Sequence, residues 1–190
     1  MFIATMYSYG WDANIVGVDG IVTCMGVFYA SPTNLYAIHI PDNSEAVNKK
    51  GADAFVKFVK GAAENKTPDG KLYGVVNGTP RAHAMAEMKY LREQLGLKAG
   101  PKRMLYRLKN INEAAAVVCE YGPNKDKDGP ILLCRTHASA NWKTDHENAK
   151  GRSDFYHNQS FDTKLGKKEV GVHKGWTLVN ATSADLLQIE

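Results

Sequence analysis

Three features of this 190-residue chain predict an α+β fold: an antiparallel or mixed β-sheet core, sandwich included, flanked by two main helices. β-forming runs fill the first forty residues, broken by glycine- and proline-containing turns. Two segments between residues 44 and 96 carry apolar side chains at helical spacing. Beyond Gly100-Pro101 the pattern returns to strands.

Taken in order, Phe2 to Tyr9 reads as one strand, and Gly10 to Gly20 as a loop with a brief strand around Ile15-Val16. Ile21 to Ala30 and Leu35 to Ile40 form a hairpin about the turn Ser31 to Asn34, where Pro32 presets φ and Asn34 tolerates a left-handed conformation. Pro41 stops the second strand, and Asp42 is placed as an N-cap with Glu45 three residues on. Ala46, Val47, Ala54, Phe55, Phe58, Val59 and Ala62 then predict a helix over about 44–64. Leu72 to Val76 is a buried strand. Thr79-Pro80 opens a second helix, Met85, Met88, Leu91 and Leu95 give its stripe, and Gly96 closes it. Arg103 to Leu108, Ala115 to Tyr121 and Ile131 to Ala138 are strands, the last two joined by the apolar-free turn GPNKDKDGP. Asn141 to Lys168 is polar and reads as a long loop or lid. Val170 to Val179 predicts a strand and Ser183 to Ile189 a short helix. Residues 1–190 are read as a single catalytic domain.

With 44% hydrophobic and 23% charged residues the composition is that of a globular chain, which argues against disorder. A net charge of +4 suits an acidic partner but falls short of the cationic surface of a committed nucleic-acid binder. No window resembles a membrane span. Three cysteines with no CxxC pair argue against a disulfide framework and for a reducing compartment: the cytoplasm, or a target cell's cytosol for a secreted effector. No motif asks for a cofactor. The four histidines from His137 to His173 are spaced widely, without carboxylates at metal-ligand intervals, and do not indicate a zinc site, and VVNGTPRAH has too few glycines for a phosphate loop.

The opening hairpin carries the candidate chemistry. If Ala30 faces Leu35, paired residue numbers sum to 65, so His39 lies opposite Gly26 and Cys24 one diagonal step away on the same strand face. Diagonal neighbours are about 7–8 Å apart at the backbone, within reach of a thiol and an imidazole. Gly26 is expected to leave space for the ring. That face also holds Phe28, Leu35 and Ala37. The other holds Thr23, Met25, Val27, Tyr29, Tyr36, Ile38 and Ile40, so both are largely apolar. A core thiol beside a core histidine would satisfy the same pattern.

Ile-Val-Thr-Cys-Met-Gly-Val (Ile21 to Val27) followed by Leu-Tyr-Ala-Ile-His-Ile-Pro (Leu35 to Pro41) resembles the Cys…His element of the thiol deamidases: the chemoreceptor glutamine deamidase CheD and the catalytic domains of cytotoxic necrotizing factor and lethal-factor toxins. The order helix, glycine-containing strand (Leu72 to Gly78), helix also looks like CheD, over roughly residues 15 to 100. The resemblance implies a toxin- or effector-like virulence hydrolase that deamidates a glutamine in a protein substrate, with Cys24 as nucleophile and His39 as general base and acid. Val22-Thr23 replaces the small residues that precede the cysteine in that group. Val18 stands where CheD has a catalytic threonine, which leaves a backbone carbonyl or Asp19 as third partner. A thiol protease, a transglutaminase or a non-enzymatic binding or immunity protein are the alternatives.

Other constellations weigh less. Cys134 and His137 are three apart on a strand, hence on opposite faces, and Cys119 reads as core. His83, early in the second helix, reads as a structural or surface residue. Lys98, Lys102, Arg103, Arg107 and Lys109 form a basic segment read as a solvated edge.

Overall fold

A computed structural model of the chain describes residues 2–4, 8–65, 69–77, 83–98, 105–108, 113–121, 130–138, 159–160, 179–180 and 186–188. Among the described residues twelve strands form two mixed sheets, and two helices cover one of them. The strands are β1 (Phe2–Ala4), β2 (Ser8–Asp12), β3 (Ile15–Ile21), β4 (Met25–Ala30), β5 (Leu35–Ile40), β6 (Lys71–Asn77), β7 (Leu105–Leu108), β8 (Glu113–Tyr121), β9 (Pro130–Ala138), β10 (Gln159–Ser160), β11 (Val179–Asn180) and β12 (Leu186–Gln188). The five-stranded sheet runs β1-β3-β8-β9-β11, the seven-stranded sheet β10-β2-β5-β4-β6-β7-β12. Pairings β1–β3 and β6–β7 are parallel and the remainder antiparallel.

The central strands of the larger sheet are apolar on both faces because each face is covered. Met25, Val27, Tyr29, Tyr36, Ile38 and Ile40 pack with Phe55, Val59, Met88 and Leu91 of the helices. Phe28, Ala30, Leu35, Ala37, Tyr73 and Val75 pack with Val16, Val18, Ile21, Val117 and Cys119 of the smaller sheet. The layers are therefore sheet, sheet and helices, and the partition of the hairpin's side chains follows the alternation expected of it.

The helices α1 (Glu45–Gly61) and α2 (Ala84–Leu95) depart from expectation at their ends. Ser44, not Asp42, is the N-cap of α1, and it makes no side-chain capping bond. A separate 3-10 turn, Ala63–Asn65, follows α1, and the buried Asn65 amide donates to the Val59 carbonyl at 3.1 Å. The buried stripe is Asn48, Ala52, Phe55, Val56 and Val59, while Ala46 is exposed. Gly96 closes α2 at φ 73°, its N–H bonded to the Arg92 and Glu93 carbonyls. Met85, expected in the stripe, is 38% exposed; Ala84 takes the buried place instead. Thr79-Pro80 lies outside the described residues.

Two further differences concern strands. The run Phe2 to Asp12 is split between the two sheets, and the expected loop before Gly20 is mostly the seven-residue β3. The crossover is a turn in which the Asp12 carboxylate accepts from the N–H groups of Asn14 and Ile15, at 2.8 and 3.0 Å. Leu186–Gln188 is extended rather than helical and pairs with β7. The edge of β7 offers these residues a ready backbone partner. The expected lid and the GPNKDKDGP turn lie outside the described residues, apart from the backbone of β10 and of Pro130.

Candidate active site

The hairpin register matches the sum of 65: Gly26 pairs with His39, Met25 with Ile40 and Ala30 with Leu35. Its turn is held by the Ser31 N–H donating to the Asn34 carbonyl at 2.9 Å and by the Ser31 hydroxyl accepting from the Asn34 N–H, also at 2.9 Å. His39 shares the phase of Leu35 and Ala37, which pack toward the five-stranded sheet, so its ring belongs to the layer between the sheets. Cys24 shares the phase of Phe28 and Ala30 but stands one residue before β4, in the bend Val22 to Cys24 that brings the chain from one sheet to the other. Both are buried, Cys24 at 6% and His39 at 1% exposure.

Gly26 does not leave an empty place for the imidazole. A Cβ there would meet Ile21 Cδ1 at 2.9 Å and Val18 Cβ and Cγ1 at 3.2 and 3.3 Å. The glycine lets β3 press onto β4, because β3 belongs to the opposite sheet and crosses directly above. A bulge makes this contact. Register shifts between Val18 and Ile21, with Gly20 at φ 73°, so Val18 and Ile21 both join the inter-sheet core. Asp19 lies within that bulge at 3% exposure, its Oδ1 accepting from the Gly20 N–H at 2.7 Å.

Two neighbours went unrecognised in the sequence. The β2–β5 register pairs Tyr9 with Ile38, so Ser8, 2% exposed, falls one step on beside His39. The β4–β6 register pairs Met25 with Val76, so Asn77, 5% exposed, falls one step on beside Cys24. Asn77 shares the phase of Tyr73 and Val75, and its Nδ2 donates to the Ile21 carbonyl of the opposite sheet at 3.2 Å. The alternation Tyr73, Val75, Asn77 was visible in the sequence; its strand partner was not. Cys24, His39, Ser8 and Asn77 thus fall toward one end of a layer whose middle is apolar, and Asp19 lies in the β3 bulge that faces Gly26.

The remaining candidates lie elsewhere. Cys119 is fully buried on β8, and that burial pushes its thiol up. Cys134 and His137 are on β9, opposite Val117 and Ala114. His83 is exposed at the start of α2. In the basic segment Lys98 is exposed; β7, with Arg107, is flanked by β6 and β12 and so is not a sheet edge. Lys102, Arg103 and Lys109 lie outside the described residues. A groove of about 800 Å³ lined by Tyr9, Trp11, Tyr36, Lys57 and Phe58 opens on the helix side of the seven-stranded sheet, the face away from Cys24 and His39. Among the described residues no group of three His, Cys, Asp or Glu could hold a metal, and no helix is long and apolar enough to cross a membrane. No protein-family model matches the chain, and no curated protein matches it.

Proposed function

We propose that the protein is a thiol-dependent amidohydrolase acting on glutamine side chains of a protein substrate, as the CheD and necrotizing-factor deamidases do, with Cys24 as nucleophile and His39 as general base and acid. The observation that supports it most is the hairpin register, which pairs Gly26, two residues on from the buried Cys24, with His39. The imidazole takes the thiol proton, and the thiolate attacks the carboxamide carbon to give a tetrahedral oxyanion. Collapse breaks the C–N bond, and the imidazolium gives its proton to the departing ammonia. Water, deprotonated by the same ring, then attacks the thioester; the C–S bond breaks, glutamate forms and the thiol is restored. The oxyanion requires backbone N–H donors close to Cys24.

The test is mass spectrometry of a glutamine-containing peptide library with ammonia release measured in parallel. Deamidation by the full chain, lost in Cys24→Ser and in His39→Ala with folding retained, is the expected result. Cleaved peptides would indicate a thiol protease, and lysine cross-links a transglutaminase. A second reading draws on burial: Val18 and Ile21 close over Gly26, and His39 is 1% exposed. In that reading the pair is core packing in a binding protein, and Cys24 alkylates with iodoacetamide no faster than the fully buried Cys119.

A further inference from the structure

We propose that Asn77 is a positioning residue for Cys24, an inference that rests on Cys24 being the nucleophile. Cys24 lies outside the β4 ladder, whose first paired residue is Met25, so strand pairing fixes only its C-terminal side. On the other side the chain leaves β3 at Ile21 and crosses between the sheets through Val22 and Thr23. Val22 is 39% exposed and Thr23 is exposed, so neither side chain anchors the bend. The anchor comes from the neighbouring strand. The Asn77 side chain, buried at the end of β6, donates its amide N–H to the Ile21 carbonyl at 3.2 Å and ties the last residue of β3 to the sheet that carries Met25.

Both ends of the bend are thereby held against β6, Met25 through the ladder and Ile21 through Asn77. What remains between them is short enough that the direction of the Cys24 Cα–Cβ bond follows from where the ends stand. Attack geometry is sensitive to displacements on the order of 1 Å. A side-chain donor at this place therefore acts on the nucleophile's aim, and Asn77 itself takes no part in bond making.

The experiment is site-resolved alkylation of the full chain with iodoacetamide across a range of pH, following Cys24 and using Cys119 as a reporter of global opening. In the wild type Cys24 reacts at mildly acidic pH while Cys119 stays protected. Asn77→Leu keeps the branching at Cγ and removes the donor; Asn77→Asp keeps the size and polarity and removes the same N–H. Both are expected to slow Cys24 alkylation by about tenfold or more and to change its pH profile, with Cys119 still protected. Wild-type rate and profile in either variant overturns the proposal. So does exposure of Cys119 in both, which makes Asn77 a structural clasp only. A wild-type Cys24 no more reactive than Cys119 overturns the deamidase reading as well, so the two failures are distinguishable.

Discussion

The layer between the two sheets is polar at both ends, and the two ends are built differently. At the turn end, Ser31 and Asn34 bond to one another across the hairpin loop, and the Tyr121 hydroxyl donates to the carbonyls of Ser31 and Asn34. Ser31 and Asn34 are near neighbours in the chain, and every one of these bonds satisfies backbone that a tight turn would otherwise leave buried without a partner. At the Cys24 end, Ser8, Asp19, Cys24, His39 and Asn77 come from five separate segments. Closing a turn does not require that convergence, and burying polar groups costs free energy wherever it happens. Local polar pairs serve the chain that carries them; polar groups brought together from distant strands are where chemistry is to be sought. Cys24 and His39 lie at the second end.

The largest effects should fall on opposite properties at the two ends. Cys24→Ser is expected to reduce deamidation by roughly a thousandfold or more while the unfolding midpoint stays close to wild type. Chemical denaturation alongside the ammonia assay checks this, and an active Cys24→Ser enzyme would break the comparison at its root. Gly26→Ala lies at the Cys24 end, paired with His39, yet should move stability first. Its methyl group would have to displace Ile21 and Val18, whose atoms stand at 2.9 to 3.3 Å, an overpacking cost of about 1–3 kcal/mol in urea unfolding. Wild-type stability in Gly26→Ala would mean that β3 does not press on β4 as described.

Much of this was legible in the chain itself. Period-two alternation across Ser31 to Asn34 is enough to give the hairpin register, because a two-sided apolar strand pair has one turn and one parity. Both helices were likewise written in their spacing, and so was the Gly96 that closes α2, but not the N-cap of α1: Ser44 wins over Asp42 through backbone geometry that composition does not encode. The site was half legible. Cys24 and His39 are close in the hairpin's sequence, but Ser8 and Asn77 come near them through strand order, and β2 beside β5 and β6 beside β4 are long-range choices. Gly26 was misjudged for the same reason. A glycine on a strand announces a close approach, and only the second sheet says by what.

The turn end supplies the smaller and complementary prediction. Tyr121→Phe removes a hydroxyl shared by two carbonyls and should cost about 1–2 kcal/mol of unfolding free energy with deamidation unchanged. Burial is the first cause that pushes the Tyr121 hydroxyl up to about 12, with the Cys119 side chain adding to it and the bond to Ser31 opposing. The sign follows from proton binding: between the ordinary tyrosine value near 10 and about 12, the folded state holds a proton that the unfolded chain has released. Stability from this group is complete below pH about 10 and is lost as pH climbs toward 12. Burial pushes Tyr9, Tyr73 and Tyr106 the same way, so the wild type unfolds more easily across this window on several accounts. Tyr121→Phe should show a shallower fall there than wild type, measured as the slope of unfolding free energy against pH. An equal slope would place the Tyr121 hydroxyl in water and detach it from the turn. The turn end would then lack its inter-sheet clasp, and only the Cys24 end would be polar by construction.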